Sequence, residues 1–106
     1  MKIMVAINKK GNDAKVDERF GRAPFLVIYD KENKQLNFFE NDFKNEEHGV
    51  ANKVCQFAAG KGISMVIAGN FGANAISALK EAEIDYKKIT NKSLEHIIME
   101  IDNDIN

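Results

Sequence analysis

Ser64-Met65-Val66-Ile67-Ala68-Gly69-Asn70-Phe71-Gly72-Ala73-Asn74-Ala75 is the stretch on which the fold turns. Residues 64–68 are apolar almost throughout, which suits a strand buried on both faces of a sheet. Gly69-Asn70-Phe71-Gly72 makes a turn, and Ala75, Ile76, Leu79 and Ala82 then recur at helical spacing. A buried strand feeding a helix through a short glycine turn is a building unit of α/β proteins. Glycines permit tight backbone geometry there, and free N–H groups at a helix start attract anions. The turn lacks the Gly-Lys-Ser/Thr ending of a P-loop and is not a G-x-G-x-x-G fingerprint. Taken alone, it also fits an ordinary strand-to-helix turn capped by Asn70 or Asn74.

Working outward, residues 3–7 form a short β-branched apolar run, a first strand, and residues 25–29 a second. Residues 30–34 have the chemistry of a hairpin turn, so residues 36–39 form a third strand antiparallel to the second. Residues 41–47 read as a polar loop of mixed charge. Val50, Val54, Phe57 and Ala58 mark a first helix, ended by Gly60 and Gly62. After the second helix, residues 85–89 suit an edge strand because of their lysines. Ser93 can cap a third helix with Leu94, Ile97, Ile98 and Ile101 on one face, and the tail after Ile101 is expected to fray. The order β-β-β-α-β-α-β-α predicts an α/β fold, a mixed five-stranded sheet flanked by helices.

A chain of 106 residues is one domain, and 44% hydrophobic content is enough for one packed core. The net charge of -1 argues against a general nucleic-acid or membrane-surface binder. No apolar run approaches the ~20 residues that span a bilayer. The N-terminus lacks the pattern of a secretory signal. Cys55 stands alone and cannot form an internal disulfide, so a reducing cytoplasm is the expected location.

Asp17-Glu18-Arg19-Phe20-Gly21-Arg22-Ala23-Pro24-Phe25 holds the only arginines and the only proline. Arginine presents a rigid fork of donors suited to oxyanions and anionic clusters, which lysine does not. Arg19 and Arg22 around a glycine look like a site built on a loop. The plainer alternative is a solvated turn with Arg22 in a surface ion pair.

This segment resembles the His-Phe-Gly-Arg-Ala block of the dinitrogenase iron–molybdenum cofactor biosynthesis family. Those are small proteins and domains that bind or carry iron–sulfur or molybdenum-containing cofactor precursors. Val66-Ile67-Ala68-Gly69-Asn70-Phe71-Gly72-Ala73-Asn74-Ala75 is similar to that family's strand, glycine turn and helix start, and Met1-Lys2-Ile3-Met4-Val5-Ala6 also fits. The resemblance covers nearly the whole chain, implying a stand-alone domain over residues 1–106 with a ribonuclease H-like sheet. In such sheets ligands favour the crevice at the carboxyl ends of the strands. The loops after the first and fourth strands open there, which would bring Arg19, Phe20, Gly21 and Arg22 beside Asn70, Gly72 and Asn74. The family often has glycine and histidine near the first helix, so His48 and Gly49 join the candidate set, with His48 a candidate metal ligand through one imidazole nitrogen. Where the family usually has histidine before Phe-Gly, this chain has Arg19, which cannot coordinate a metal.

Cys55 sits at a helix-core position and reads as a small hydrophobe, and His96 reads as structural or solvated. There is no C-x-x-C, H-x-x-x-H or third cysteine, so a cluster would have to arrive largely assembled and be held by charge and backbone N–H groups. The first strand carries no carboxylate for two-metal chemistry, and no Ser-His-Asp or Cys-His set is present, so a catalyst is not expected. The expected function is a non-catalytic carrier of an iron–sulfur or iron–molybdenum cofactor cluster, with cofactor-assembly proteins as partners. The alternatives are a Mo–Cu sulfide cluster protein similar to the orange proteins, or a regulatory module for a small anion or protein without metal.

Overall fold

β1 (Lys2–Ile7) lies at the centre of the sheet, because every residue from Ile3 to Ile7 is apolar and buried. The computed structural model describes residues 1–103. β1 pairs antiparallel with β2 (Phe25–Asp30), which pairs antiparallel with β3 (Gln35–Glu40). On its other side β1 runs parallel to β4 (Met65–Ala68), and β4 parallel to β5 (Asp85–Lys88). The strand order is β3-β2-β1-β4-β5, a mixed five-stranded sheet in which β2 alone opposes the rest. The lysine-bearing β5 is an edge strand.

Alternation along the strands divides the core in two. Met4, Ala6, Leu26, Ile28, Val66 and Ala68 pack with buried residues of α1 (Val50–Gly60) and α2 (Ala73–Glu81). Ile3, Val5, Ile7, Val27 and Ile67 pack instead with Leu94 and Ile97 of α3 (Leu94–Asn103). The Ser93 hydroxyl caps α3 by accepting the His96 N–H at 3.1 Å. The tail was expected to fray after Ile101, but α3 continues to Asn103; the rest of that tail lies outside the described residues. Two interactions explain the extra length. The Tyr29 hydroxyl donates to Asp102 Oδ1 at 2.8 Å, and Lys34 Nζ lies 2.9 Å from the same carboxylate.

This tether joins the α3 end to the β2–β3 hairpin, whose turn is closed by Asp30 Oδ1 accepting from Glu32 N–H at 3.1 Å. Tyr29→Phe should therefore cost about 1 kcal/mol in urea denaturation, the net value of one hydrogen bond. The bonds from Lys34 and then Tyr29 hold the Asp102 carboxyl below the usual carboxylate range. A depressed folded-state pKa gives stability that is present above the unfolded value and lost as pH falls through the folded one. Acid should accordingly loosen this tether, and Asp102→Asn should flatten that part of the pH–stability curve.

Parallel pairing puts the carboxyl ends of β1 and β4 side by side, and the loop after β1 returns to lie across both. Val16 bridges Ile7, and the Asp17 N–H donates to the Ala6 carbonyl at 2.8 Å. Gly69 N–H, just past β4, donates to the Asp17 carbonyl at 2.9 Å, and Arg19 bridges Asn70. Residues far apart in sequence are thus joined by backbone pairing rather than by side-chain contact alone.

Candidate functional site

A cavity of about 430 Å3 opens where this loop meets the starts of two helices. Residues 18–22 form one wall, Val50 and Ala51 of α1 a second, and Asn70, Gly72 and residues 73–75 of α2 the third. Arg19, Phe20, Gly21, Arg22, Asn70, Gly72 and Asn74 are therefore together on one cavity. His48 and Gly49 are not on its lining. His48 is solvent-exposed, and Gly49, at φ 73, turns the chain between it and Val50.

Both helices begin without a side-chain cap. The N-cap of α1 is Gly49 and that of α2 is Gly72, and neither helix has an acid in its first turn. The first intrahelical bonds are Lys53 N–H to Gly49 O and Ile76 N–H to Gly72 O, each 3.0 Å. The N–H groups of Val50, Ala51, Ala73, Asn74 and Ala75 precede those bonds, so they belong to the unsatisfied donors of a helix start. Capping by Asn70 or Asn74 does not occur. Glu46 and Glu47 also lie before α1 rather than in its first turn, and Glu46 pairs with Lys53.

The two arginines differ. The Arg19 backbone N–H and Nε both donate to Asp17 Oδ1, at 2.9 and 3.0 Å, and Nη2 reaches Oδ2 at 3.3 Å. That bonding to Asp17 holds the guanidinium firmly protonated and largely neutralises its charge. Arg22 Nη1 donates to the Lys44 carbonyl at 2.8 Å and makes no ion pair among the described residues. A surface ion pair was the plainer expectation for Arg22; it is Arg19 that has one.

Phe20 is buried, 3% exposed, with its ring 5.4 Å from Phe71, which in turn lies 5.0 Å from Tyr86. It anchors the loop in the core, so its role on the cavity wall is that of a floor. Gly21 packs on α1, where an added Cβ would lie 3.0 Å from Val50 Cγ1. Sequence reasoning missed Asn41. It is 2% exposed, and its amide donates to the carbonyls of Gly21 at 2.8 Å and Ala23 at 2.9 Å. It pins the arginine loop from the end of β3. Only its place immediately after a strand, ahead of turn-forming residues, hinted at this.

Cys55 lies in the core, its thiol donating to the Ala78 carbonyl at 3.3 Å. Burial, and then Glu81, push the Cys55 thiol up, which keeps it protonated in the apolar core. His96 Nε2 lies 2.6 Å from Glu100 Oε2 along α3. Both line a larger cavity of about 520 Å3 on the α3 side, bounded by Ile3, Ile67, Ile89 and Ile97. That cavity lacks the arginines and the helix starts. Among the described residues no group of three or more His, Cys, Asp or Glu could hold a metal ion. No helix among them is long and apolar enough to cross a membrane.

The family model described as dinitrogenase iron-molybdenum cofactor matches residues 1–103. An uncharacterized protein of Methanocaldococcus jannaschii is 30% identical over 101 residues, covering 92% of this chain and 82% of that protein. The apo form of the orange protein from Desulfovibrio gigas superposes with a TM-score of 0.88 at 25% identity, over 94% of this chain and 85% of that one. A candidate NifB protein from Thermotoga, solved by NMR, gives a TM-score of 0.81 at 29% identity over 94% and 85%.

Proposed function

The chain belongs to the dinitrogenase iron-molybdenum cofactor family, and on that premise we propose that it is a non-catalytic carrier of an assembled, anionic iron–sulfur or molybdenum-containing cluster. The observation that carries this reading is the convergence, on one cavity, of two helix starts without side-chain caps and of Arg22, which has no ion pair among the described residues. Each helix start contributes roughly half a positive charge, and Arg22 a full one. Their N–H groups suit the sulfide or oxide surface of a cluster.

The donor set fits such a cargo and does not fit a bare metal ion. With no cage of metal-ligating side chains among the described residues, the cluster must bring its own coordination shell. It is then held through hydrogen bonds and charge, which can be released without breaking a metal–protein bond. The protein is read as one domain working in a reducing cytoplasm, handing the cluster to cofactor-assembly proteins. The strand order β3-β2-β1-β4-β5, with β2 alone antiparallel, supports the ribonuclease H-like assignment. A molybdenum–copper sulfide cluster is the second reading, favoured by the likeness to the orange protein.

The test is an anaerobic titration with tetrathiomolybdate, followed by its absorbance. Arg22→Ala should weaken binding about tenfold or more, as loss of a charge-assisted donor does. Arg19→Ala should change it by less than about threefold, because an exposed, already paired charge contributes little. Equal effects from both, or none from Arg22→Ala, would contradict this assignment of roles.

A further inference from the structure

Glu18 is the one acid on the wall of this cavity. It makes no hydrogen bond or ion pair among the described residues, although Arg19 and Arg22 are its near neighbours in the loop. Arg19 is committed to Asp17, and Arg22 Nη1 donates to the Lys44 carbonyl. The Glu18 side chain curls back over Gly69 instead: a Cβ on Gly69 would stand 2.7 Å from both the Cα and the Cδ of Glu18. The absence of a side chain at position 69 is what leaves room for the carboxyl group. An uncompensated carboxylate is thus held, by backbone geometry, at the crossing of the two loops beside the α2 start.

We propose that Glu18 is an electrostatic brake on the cavity, holding its affinity for an anionic cluster down so that the cargo is released readily. The inference rests on the carrier reading and adds its regulation. The helix starts and Arg22 attract an anion, and the Glu18 carboxylate on the same cavity wall subtracts about one charge from that attraction. A site with two helix starts and a guanidinium that has no ion pair among the described residues would otherwise retain its cargo. Because Glu18 is exposed, solvent screens the effect, which tunes the affinity without abolishing it.

Tetrathiomolybdate titrated anaerobically into four proteins tests this: the native chain, Glu18→Gln, Glu18→Asp and Arg22→Ala. Glu18→Gln should bind about threefold to tenfold tighter at low salt, and the gain should shrink as ionic strength rises. Glu18→Asp, which keeps the charge, should stay within about twofold of the native affinity. Thermal stability measured alongside should be unchanged in Glu18→Gln, since the carboxylate makes no bond. Unchanged or weaker binding by Glu18→Gln, or a gain indifferent to salt, overturns the brake. If Arg22→Ala weakens binding as expected while Glu18→Gln fails to tighten it, the carrier reading stands and the brake falls. Binding by none of the four overturns both.

Discussion

Gly72→Asp should make the protein more stable and cost it its ligand. Gly72 is the N-cap of α2, at φ -74 and ψ 169, the backbone region natural to a capping aspartate. A Cβ added there meets no heavy atom within 4 Å beyond its own chain neighbours. The new carboxylate would accept the unsatisfied N–H groups of the first turn and sit at the positive end of the helix. Together these should add about 0.5–1 kcal/mol in urea denaturation. The same groups are the proposed donors to the cluster. Tetrathiomolybdate should then bind about tenfold weaker or worse, having lost donors and gained a like charge. Opposite signs for stability and affinity identify the bare helix start as functional. A variant that is more stable and binds normally would assign the cluster elsewhere.

Gly69→Ala should fail in the other direction. Its Cβ would stand 2.7 Å from Glu18 Cα, a main-chain atom that cannot swing aside. The two loops must part, straining the 2.9 Å bond from Gly69 N–H to Asp17 O and the adjoining Arg19–Asn70 bridge. Overpacking of this kind costs about 1–3 kcal/mol. Binding should fall as well, because the wall carrying Arg22 moves off the wall carrying the α2 start. Native stability in the variant would show that the loop crossing is looser than the contacts imply.

Much of the fold was legible because burial on both faces leaves a plain mark. Val66-Ile67-Ala68 and Ile3-Met4-Val5-Ala6-Ile7 are unbroken apolar runs, and they are the parallel central pair. Lysines on Asp85–Lys88 marked an edge, and Ser93 marked a cap. Once β1 and β4 are parallel, their following loops open at one end, which is why Arg22 and Asn74 were foreseeable on one cavity.

Side-chain commitments were less legible. Arg19 and Arg22 look alike in sequence, yet Asp17 captures the first, because a turn two residues long brings its backbone N–H and Nε to the same carboxylate. Phe20 sits within the motif and reads as a site residue, but its partner Phe71 comes from a distant turn. Asn41 looks like any loop asparagine until tertiary folding buries it against Gly21 and Ala23. His48 is close to α1 in sequence, and one left-handed glycine after it is enough to leave it off the cavity.

The central claim is that the cavity holds an assembled anionic cluster through N–H groups and Arg22. It is tested most directly by incubating the native protein and Gly72→Asp anaerobically with a pre-assembled molybdenum–sulfur or iron–sulfur cofactor precursor. After gel filtration, Fe, Mo and Cu would be measured in the protein peak. The account predicts near-stoichiometric metal on the native protein and little on a well-folded Gly72→Asp. No metal on the native protein, or equal metal on both, would contradict it.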